Sequence, residues 1–306
     1  MENDQSYLAS LKSIETENTV DKVFYRPIGY RIARSLTNTG ITPNMITIAS
    51  IFVGLGGGLC FVHDYNILWA LGGILCLILA NIMDCVDGQL ARLTGIKSEV
   101  GRILDGLAGD LWFACIYICF IIRLSHTYPD FLNGYGWILF FGIALCSGIS
   151  HLIQAAITDY YKTIHLFFIS PEKGKEFESI ESIKNRLDRM KPGINKILTK
   201  AYLIYTTVQE HITPNLQNLL LHLKEKYGNP NNIPEDVRIN FRTGSKKVMH
   251  TLDWLTFNGR TIPLFCFVLS GYFWLYFIFE IVILNIVLIV SIKRHEAMCA
   301  KQEMGI

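Results

Sequence analysis

The chain has 306 residues, of which 51% are hydrophobic and only 18% are charged, and its net charge is +2. Several apolar runs approach the roughly 20 residues that span a bilayer, which excludes an ordinary soluble domain. The sequence therefore predicts an integral membrane protein, and no nucleic-acid partner is expected.

The first 40 residues are predicted to be a cytoplasmic segment that ends in an interfacial helix. Residues 1–18 are polar and rather acidic, so we expect little order there and no cleavable signal peptide. From about residue 20 to residue 36, apolar side chains recur at helical spacing opposite Lys22, Arg26 and Arg34. Such a segment is typical of a helix on an anionic membrane surface, and a plain surface helix is the alternative.

Residues 41–158 are predicted to form four membrane spans. The spans cover about residues 45–62, 67–83, 100–124 and 135–157. In the first span, the glycine-rich run at residues 54–58 favours close helix packing in lipid. Gly95 is expected to end the second helix, and Ser98 is expected to cap the third.

The remaining chain is predicted to contain a polar insertion and two more spans. Residues 159–251 read as a largely helical cytoplasmic insertion, broken at Pro214 and at Gly228. Residues 252–293 hold the fifth and sixth spans, divided at residues 270–272, and residues 294–306 form a cytoplasmic tail. The predicted fold is an all-α integral membrane protein with about six transmembrane helices, an interfacial N-terminal helix and a polar helical insertion.

The distribution of basic residues predicts the orientation of these spans. Lys and Arg concentrate before span one, between spans two and three, in the polar insertion and after span six. The opposite loops hold almost none, with Arg123 as the main exception. Because basic flanks stay on the cytoplasmic side, both termini and the loop between spans two and three are expected there.

Four aspartates stand where the second span ends and the third begins. They are Asp84, Asp87, Asp105 and Asp110. Asp84 and Asp87 are three residues apart and share one helix face, and a short connection would bring Asp105 to similar depth. Charge at a membrane edge indicates a functional site, and clustered carboxylates favour one or two hard divalent cations such as Mg²⁺ or Mn²⁺. The alternative is a set of helix-end aspartates that face water.

The spacing of these residues resembles a known family signature. The pattern Asp84-x2-Asp87-Gly88-x2-Ala91-Arg92-x8-Gly101-x3-Asp105 is similar to that of the CDP-alcohol phosphotransferases (CDP-alcohol phosphatidyltransferases). These are integral membrane enzymes of phospholipid synthesis, which move a substituted phosphoryl group from a CDP-alcohol to a second alcohol and release CMP. The resemblance also covers Thr42-Pro43-Asn44, the entry helix and the six-span layout.

The resemblance implies roles for the residues of the signature. Asp84, Asp87 and Asp105 would bind Mg²⁺ or Mn²⁺, with two ions expected, and Asp105 would also be catalytic. Asp87 and the segment of Gly88, Ala91, Arg92 and Gly101 would receive the CDP moiety, because close backbone approach requires small residues. A homodimer is implied by the family alone.

One position departs from the family pattern. The family has a fourth aspartate four residues after Asp105, as metal ligand or base, but Gly109 stands there and the acid follows at Asp110. On a regular helix, position 109 lies roughly 40° from Asp105 and position 110 roughly 140°. A π-bulge in residues 106–109 would restore the register, so Asp110 is predicted as the fourth metal ligand and as catalytic. Otherwise the base is another group, or the protein is a catalytically weak relative.

Acceptor-binding residues are expected on the later spans. Arg260, near the start of the fifth span, could meet an acceptor phosphate or the CDP diphosphate, and a snorkelling helix-end arginine is the alternative. His151, Gln154 and Asp159 could line the acceptor pocket.

The predicted function is transfer from CDP-diacylglycerol to a polar alcohol, with inositol or its phosphate as the specific expectation. The alternative within the family is transfer from CDP-choline or CDP-ethanolamine to diacylglycerol. Outside it, a cation transporter would place its acids near the bilayer midplane in matching halves, and a non-catalytic relative would use its polar segment to recruit partners.

Overall fold

A computed structural model describes residues 2–63, 66–96, 98–170 and 180–303. Within these ranges all regular elements are helices, which confirms the all-α prediction. The α-helices are α1 (Glu2–Ser10), α2 (Arg26–Leu36), α3 (Pro43–Cys60), α4 (Ile67–Thr94), α5 (Glu99–Thr127), α6 (Gly136–Ile169), α7 (Ile180–Arg189), α8 (Ile194–Ile212), α9 (Pro214–Tyr227), α10 (Glu235–Leu252), α11 (Phe257–Leu269), α12 (Leu275–Ile278) and α13 (Asn285–Glu303).

Five helical segments are long and apolar enough to cross a membrane. They are α3, α4, Leu104–Thr127 of α5, α6 and the continuous stretch Leu275–Glu303. The sixth predicted span falls within Leu275–Glu303, whereas the fifth corresponds to α11, which has only 13 residues because a 3-10 turn at Asp253–Leu255 separates it from α10. Gly271, with a φ of 79°, lies in the turn after α11, where the sequence predicts the division. The chain is an integral, multi-pass membrane protein.

The chain divides into two compact units. The first comprises residues 1–152 and 257–283, and the second comprises residues 153–256 and 284–306. The signature aspartates all belong to the first unit.

Helices α3 and α4 pack closely in the first unit because glycines face each other. A Cβ added to Gly57 would lie 3.0 Å from the Gly73 carbonyl oxygen, and one added to Gly73 would lie 2.9 Å from that of Gly57. One turn earlier, Gly54 leaves room for the fully buried indole of Trp112 from α5. The predicted close packing of the first span is therefore confirmed.

Of the N-terminal segment the structure describes residues 2–18, which form helix α1 and the turns that follow it, so the expectation of little order there is wrong. Its last helical residue, Ser10, is buried and accepts hydrogen bonds from α4: Gln89 Nε2 donates to the Ser10 hydroxyl at 3.1 Å, and Arg92 Nε donates to its carbonyl oxygen. The polar composition of this segment suggested disorder, but polar side chains of α4 supply hydrogen-bond partners for it.

The segment predicted to lie at the membrane interface forms a π-helical turn at Asp21–Tyr25 followed by α2. Gly29 lets α2 approach α4, since a Cβ there would lie 2.5 Å from Gln89 Oε1. Burial raises the pKa of the Tyr25 hydroxyl. The predicted helix is confirmed.

The second unit contains most of the polar insertion, and the part of the insertion that the structure describes, residues 159–170 and 180–251, is largely helical as predicted. Helix α9 begins at Pro214 and ends before Gly228, at the two predicted breaks. The ring of Phe168 on α6 stacks on that of Phe241 on α10 with 3.8 Å between centroids. Within this unit Glu296 of α13 accepts a 2.7 Å hydrogen bond from the Asn215 backbone.

Candidate functional site

Three of the four predicted aspartates come together. Asp84 and Asp87 lie on one turn of α4, Asp105 lies in the second turn of α5, and one carboxylate oxygen from each falls within 4.8 Å of the others. Asp87 is buried, Asp84 is half-buried and Asp105 is exposed. The site therefore opens on the Asp105 side.

A short connection between α4 and α5 sets this geometry. Gly95 adopts a left-handed conformation (φ 73°) that ends α4. The Ser98 hydroxyl accepts a 2.9 Å hydrogen bond from the Gly101 backbone and caps α5. Both predicted helix boundaries are confirmed. Because only a few residues separate α4 from α5, the chain reverses its direction there and α5 brings Asp105 back to Asp84.

The beginning of α3 supports the same site. The Thr47 hydroxyl donates a 2.5 Å hydrogen bond to Asp87 Oδ2, and both residues are 2% exposed. Asn44 Nδ2 donates to the Ser98 hydroxyl at 2.9 Å. A Cβ on Gly101 would lie 2.1 Å from Asn44 Oδ1, so this contact requires glycine.

The three carboxylates fit a divalent cation of the hard class. All the ligand atoms are oxygens, which Mg²⁺ and Mn²⁺ prefer. Three ionised carboxylates within 4.8 Å would repel one another, and a cation between them would offset that repulsion.

The predicted CDP-binding residues lie beside the carboxylates along α4 and at the start of α5. Gly88 faces the guanidinium of Arg92, to which an added Cβ would come within 3.1 Å. Ala91 and Gly101 are half-buried. Because Arg92 Nε donates to the Ser10 carbonyl oxygen, the N-terminal segment borders this part of the site.

Asp110 does not join the other three acids. Helix α5 is a regular α-helix through residues 106–110, so the predicted π-bulge is absent. With regular geometry Asp110 lies roughly 140° around the helix from Asp105. Its Oδ1 instead lies 3.2 Å from Nε2 of the buried His151 on α6.

Arg260 is also placed differently from the expectation. Its side chain is 2% exposed, forms an ion pair with Glu280 Oε1 and places Nη1 3.0 Å from His151 Nδ1. The structure therefore does not bring it to the three carboxylates, and it is not a snorkelling arginine either. A buried pair is favoured because neither charge could be left alone in the apolar interior.

The other two acceptor-pocket candidates belong to the second unit. Asp159 is exposed on α6. Gln154 is buried and donates a 2.9 Å hydrogen bond to Asn285 Oδ1.

Sequence reasoning missed Glu280 and Thr47. Glu280 is fully buried and accepts a 3.0 Å hydrogen bond from the Tyr276 hydroxyl. A single acid within an apolar run was the available signal, because intramembrane charge is rare without a partner. Thr47 offered no such signal, since its partner is 40 positions away.

A second group of ligand-type side chains was also passed over. In the second unit His295, Glu296 and Cys299 are buried and place one potential ligand atom each within 4.8 Å. His295 and Cys299 stand four residues apart, a spacing that puts them on one face of α13.

Comparison with known proteins agrees with the geometry. Residues 40–171 match the family model for CDP-alcohol phosphatidyltransferases. Over 109 residues the chain is 39% identical to an archaetidylinositol phosphate synthase of Pyrococcus horikoshii, covering 34% of this chain and 56% of that protein. Over 132 residues it is 30% identical to the inner membrane protein YnjF of Escherichia coli, covering 43% and 59% respectively.

The name of a third relative contains glycerol 3-phosphate. It is a CDP-diacylglycerol–glycerol-3-phosphate 3-phosphatidyltransferase of Rickettsia felis, 34% identical over 76 residues, which cover 25% of this chain and 41% of that protein. The chain thus spans about half the length of the curated relatives it matches. The family match identifies residues 40–171 of this chain as a CDP-alcohol phosphatidyltransferase domain, and Asp84, Asp87 and Asp105 lie within it.

Proposed function

We propose that the protein is a membrane-embedded phosphotransferase that moves a substituted phosphoryl group from a CDP-alcohol to a second alcohol and releases CMP. The observation that carries this proposal is the convergence of Asp84, Asp87 and Asp105 within 4.8 Å, at the family's spacing and inside the matching domain.

In this proposal the three carboxylates hold Mg²⁺ or Mn²⁺, with two ions expected. Bound cations would neutralise the diphosphate and the charge that grows on the departing CMP. Gly88, Ala91, Arg92 and Gly101 would admit and hold the CDP moiety next to them. Asp110, outside the group of three, would act on the acceptor hydroxyl instead of binding metal.

CDP-diacylglycerol is the proposed donor and a polar alcohol the proposed acceptor, with inositol or its phosphate as the specific proposal. The names of two relatives support this choice, since one contains archaetidylinositol phosphate and the other contains both CDP-diacylglycerol and glycerol 3-phosphate. Arg260 no longer supports it, because its guanidinium pairs with Glu280. Transfer from CDP-choline or CDP-ethanolamine to diacylglycerol is the alternative.

The remaining proposals concern sidedness and assembly. The basic flanks support a cytoplasmic position for both termini and for the carboxylate site. A homodimer is proposed on the family resemblance.

The test uses the full-length protein in nanodiscs. Radiolabelled CDP-diacylglycerol, CDP-choline or CDP-ethanolamine is supplied with Mg²⁺ or Mn²⁺ and with glycerol 3-phosphate, inositol, inositol phosphate, serine or diacylglycerol. We expect CMP release that EDTA abolishes and that Asp84→Asn reduces at least a hundredfold. No metal-dependent CMP release with any donor would overturn the proposal, in favour of a non-catalytic relative or a transporter.

A further inference from the structure

We infer that His151 is a positioning residue that orients Asp110 toward the acceptor hydroxyl, and that the buried Arg260–Glu280 pair holds His151 in the tautomer this requires. The inference rests on the proposed function and adds to it the groups that replace the family's fourth aspartate. Gly109 stands at the position where the family has that acid.

The contacts of His151 define its tautomer. Arg260 Nη1 lies 3.0 Å from His151 Nδ1, and a guanidinium can only donate. Nδ1 therefore accepts, and the ring proton resides on Nε2. Since Asp110 Oδ1 lies 3.2 Å from Nε2, the imidazole donates to that carboxylate. This arrangement leaves the second oxygen of Asp110 for another donor.

The surroundings of His151 fix its ring. Glu280 is fully buried, pairs with Arg260 through Oε1 and accepts from the Tyr276 hydroxyl through Oε2 at 3.0 Å. The ring of Phe113 lies 4.6 Å from that of His151, and the Tyr117 hydroxyl lies 3.4 Å from Nδ1. With both nitrogens engaged and the ring packed against Phe113, the imidazole cannot rotate without breaking a buried polar contact.

Open space separates Asp110 from the carboxylate group. On a regular helix, positions 106 and 109 lie roughly 100° and 40° around from Asp105, and so between Asp105 and Asp110. Among the residues that the structure describes, none has an atom within 4 Å of a Cβ added to Gly106 or Gly109. The Asp110 side chain is 29% exposed. A small polar alcohol could approach the helix backbone there, with a carboxylate at either end.

The step this geometry supports is a transfer assisted by one proton acceptor. The acceptor oxygen forms a bond to the β-phosphorus of the CDP-alcohol, and its proton goes to Asp110. The bond from that phosphorus to the bridging oxygen breaks, and CMP departs with the electron pair. His151 keeps its Nε2 proton throughout, so its role is to orient the carboxylate and not to exchange a proton.

Two substitutions of His151 separate orientation from general packing. A glutamine amide reaches the level of Nε2 and can donate to Asp110, whereas an asparagine amide reaches only the level of Nδ1. We expect His151→Gln to keep kcat within about fivefold of wild type, and His151→Asn and His151→Leu to lower it about 10- to 100-fold. The KM for CDP-diacylglycerol and the affinity for CMP should stay within twofold.

Two further variants complete the experiment. Asp110→Asn should lower kcat at least as much as His151→Leu, and the double variant should lose no more than Asp110→Asn alone. His165→Leu is the matched control, because His165 is equally buried and bonds Ser245 in the second unit. It should retain the wild-type kcat.

The outcomes distinguish this inference from the proposed function. If the wild type releases CMP and His151→Asn does so equally fast, the positioning role is wrong while the function stands. Equal losses in the Gln and Asn variants, with unchanged thermal unfolding, would also overturn it. If the wild type releases no CMP from any donor, both proposals fail.

Discussion

The hydroxyl of Thr47 donates a 2.5 Å hydrogen bond to Asp87 Oδ2, which joins the first turns of α3 to the carboxylate site on α4. Both side chains are buried. A buried carboxylate needs donors as well as cations, because each unsatisfied oxygen carries a desolvation cost of about 1–3 kcal/mol. Thr47 therefore orients Asp87 as well as packing against it.

Removing this donor should weaken metal binding. Thr47→Val keeps the shape of the side chain but loses the hydroxyl, so we expect the half-saturating Mn²⁺ concentration for CMP release to rise about 10- to 100-fold. Thr47→Ser retains the hydroxyl and serves as the control. An unchanged Mn²⁺ requirement in Thr47→Val would show that Asp87 is held without it.

Asp105 and Asp110 should respond differently to the same change. Asp105→Asn removes one carboxylate of the group of three, so the half-saturating Mn²⁺ concentration should rise at least tenfold. Asp110→Asn should lower kcat about 100-fold or more and leave the Mn²⁺ requirement unchanged. A matching rise in both variants would place Asp110 among the metal ligands after all.

Two glycines of α3 offer a matched pair for stability. Gly54→Ala would place its Cβ 2.3 Å from the Trp112 ring, and we expect destabilisation of about 1–3 kcal/mol. The Cβ of Gly56→Ala would meet no atom of the described residues within 4 Å, and the variant should be more stable by about 0.5–1 kcal/mol because the unfolded chain loses backbone freedom. Thermal unfolding in detergent measures both, and equal melting temperatures would contradict the packing.

The ordered N-terminal segment can be tested through Ser10. Ser10→Ala removes one of the two acceptors of the Gln89 amide, the other being the Arg26 carbonyl oxygen, in a fully buried place and should cost about 1–3 kcal/mol of unfolding free energy. Ser35→Ala is the control, since its exposed hydroxyl bonds only to the Ile32 carbonyl, and it should stay within about 0.5 kcal/mol. If the two variants unfold alike, the segment is not docked in solution.

Short-range sequence patterns predicted the helices, their ends and the helix faces that side chains share. The length of the apolar runs predicted the long spans. Gly95 predicted the end of α4 because glycine favours the left-handed backbone there, and Ser98 predicted the start of α5 because its hydroxyl caps a helix. The three-residue spacing of Asp84 and Asp87 predicted that they share one face of α4. The convergence of Asp105 with them followed from the short connection.

Long-range pairing lay beyond those patterns. Whether Arg260 faces a substrate or a buried glutamate depends on where residue 280 falls, and no periodicity in the sequence reports that distance. The order of residues 1–18 likewise depends on Gln89 and Arg92, about 80 positions away. The absent π-bulge shows that a motif with one residue out of place need not distort its helix, since His151 gives Asp110 a different partner.

The Arg260–Glu280 pair has a consequence for how the protein is made. A charged side chain costs about 2.5–3.5 kcal/mol when its helix enters a bilayer alone. Helix α11 carries the cation, and the helical stretch after the turn at Gly271 carries the anion. We therefore expect these two segments to enter lipid together during synthesis, as one hairpin in which the two charges are already paired.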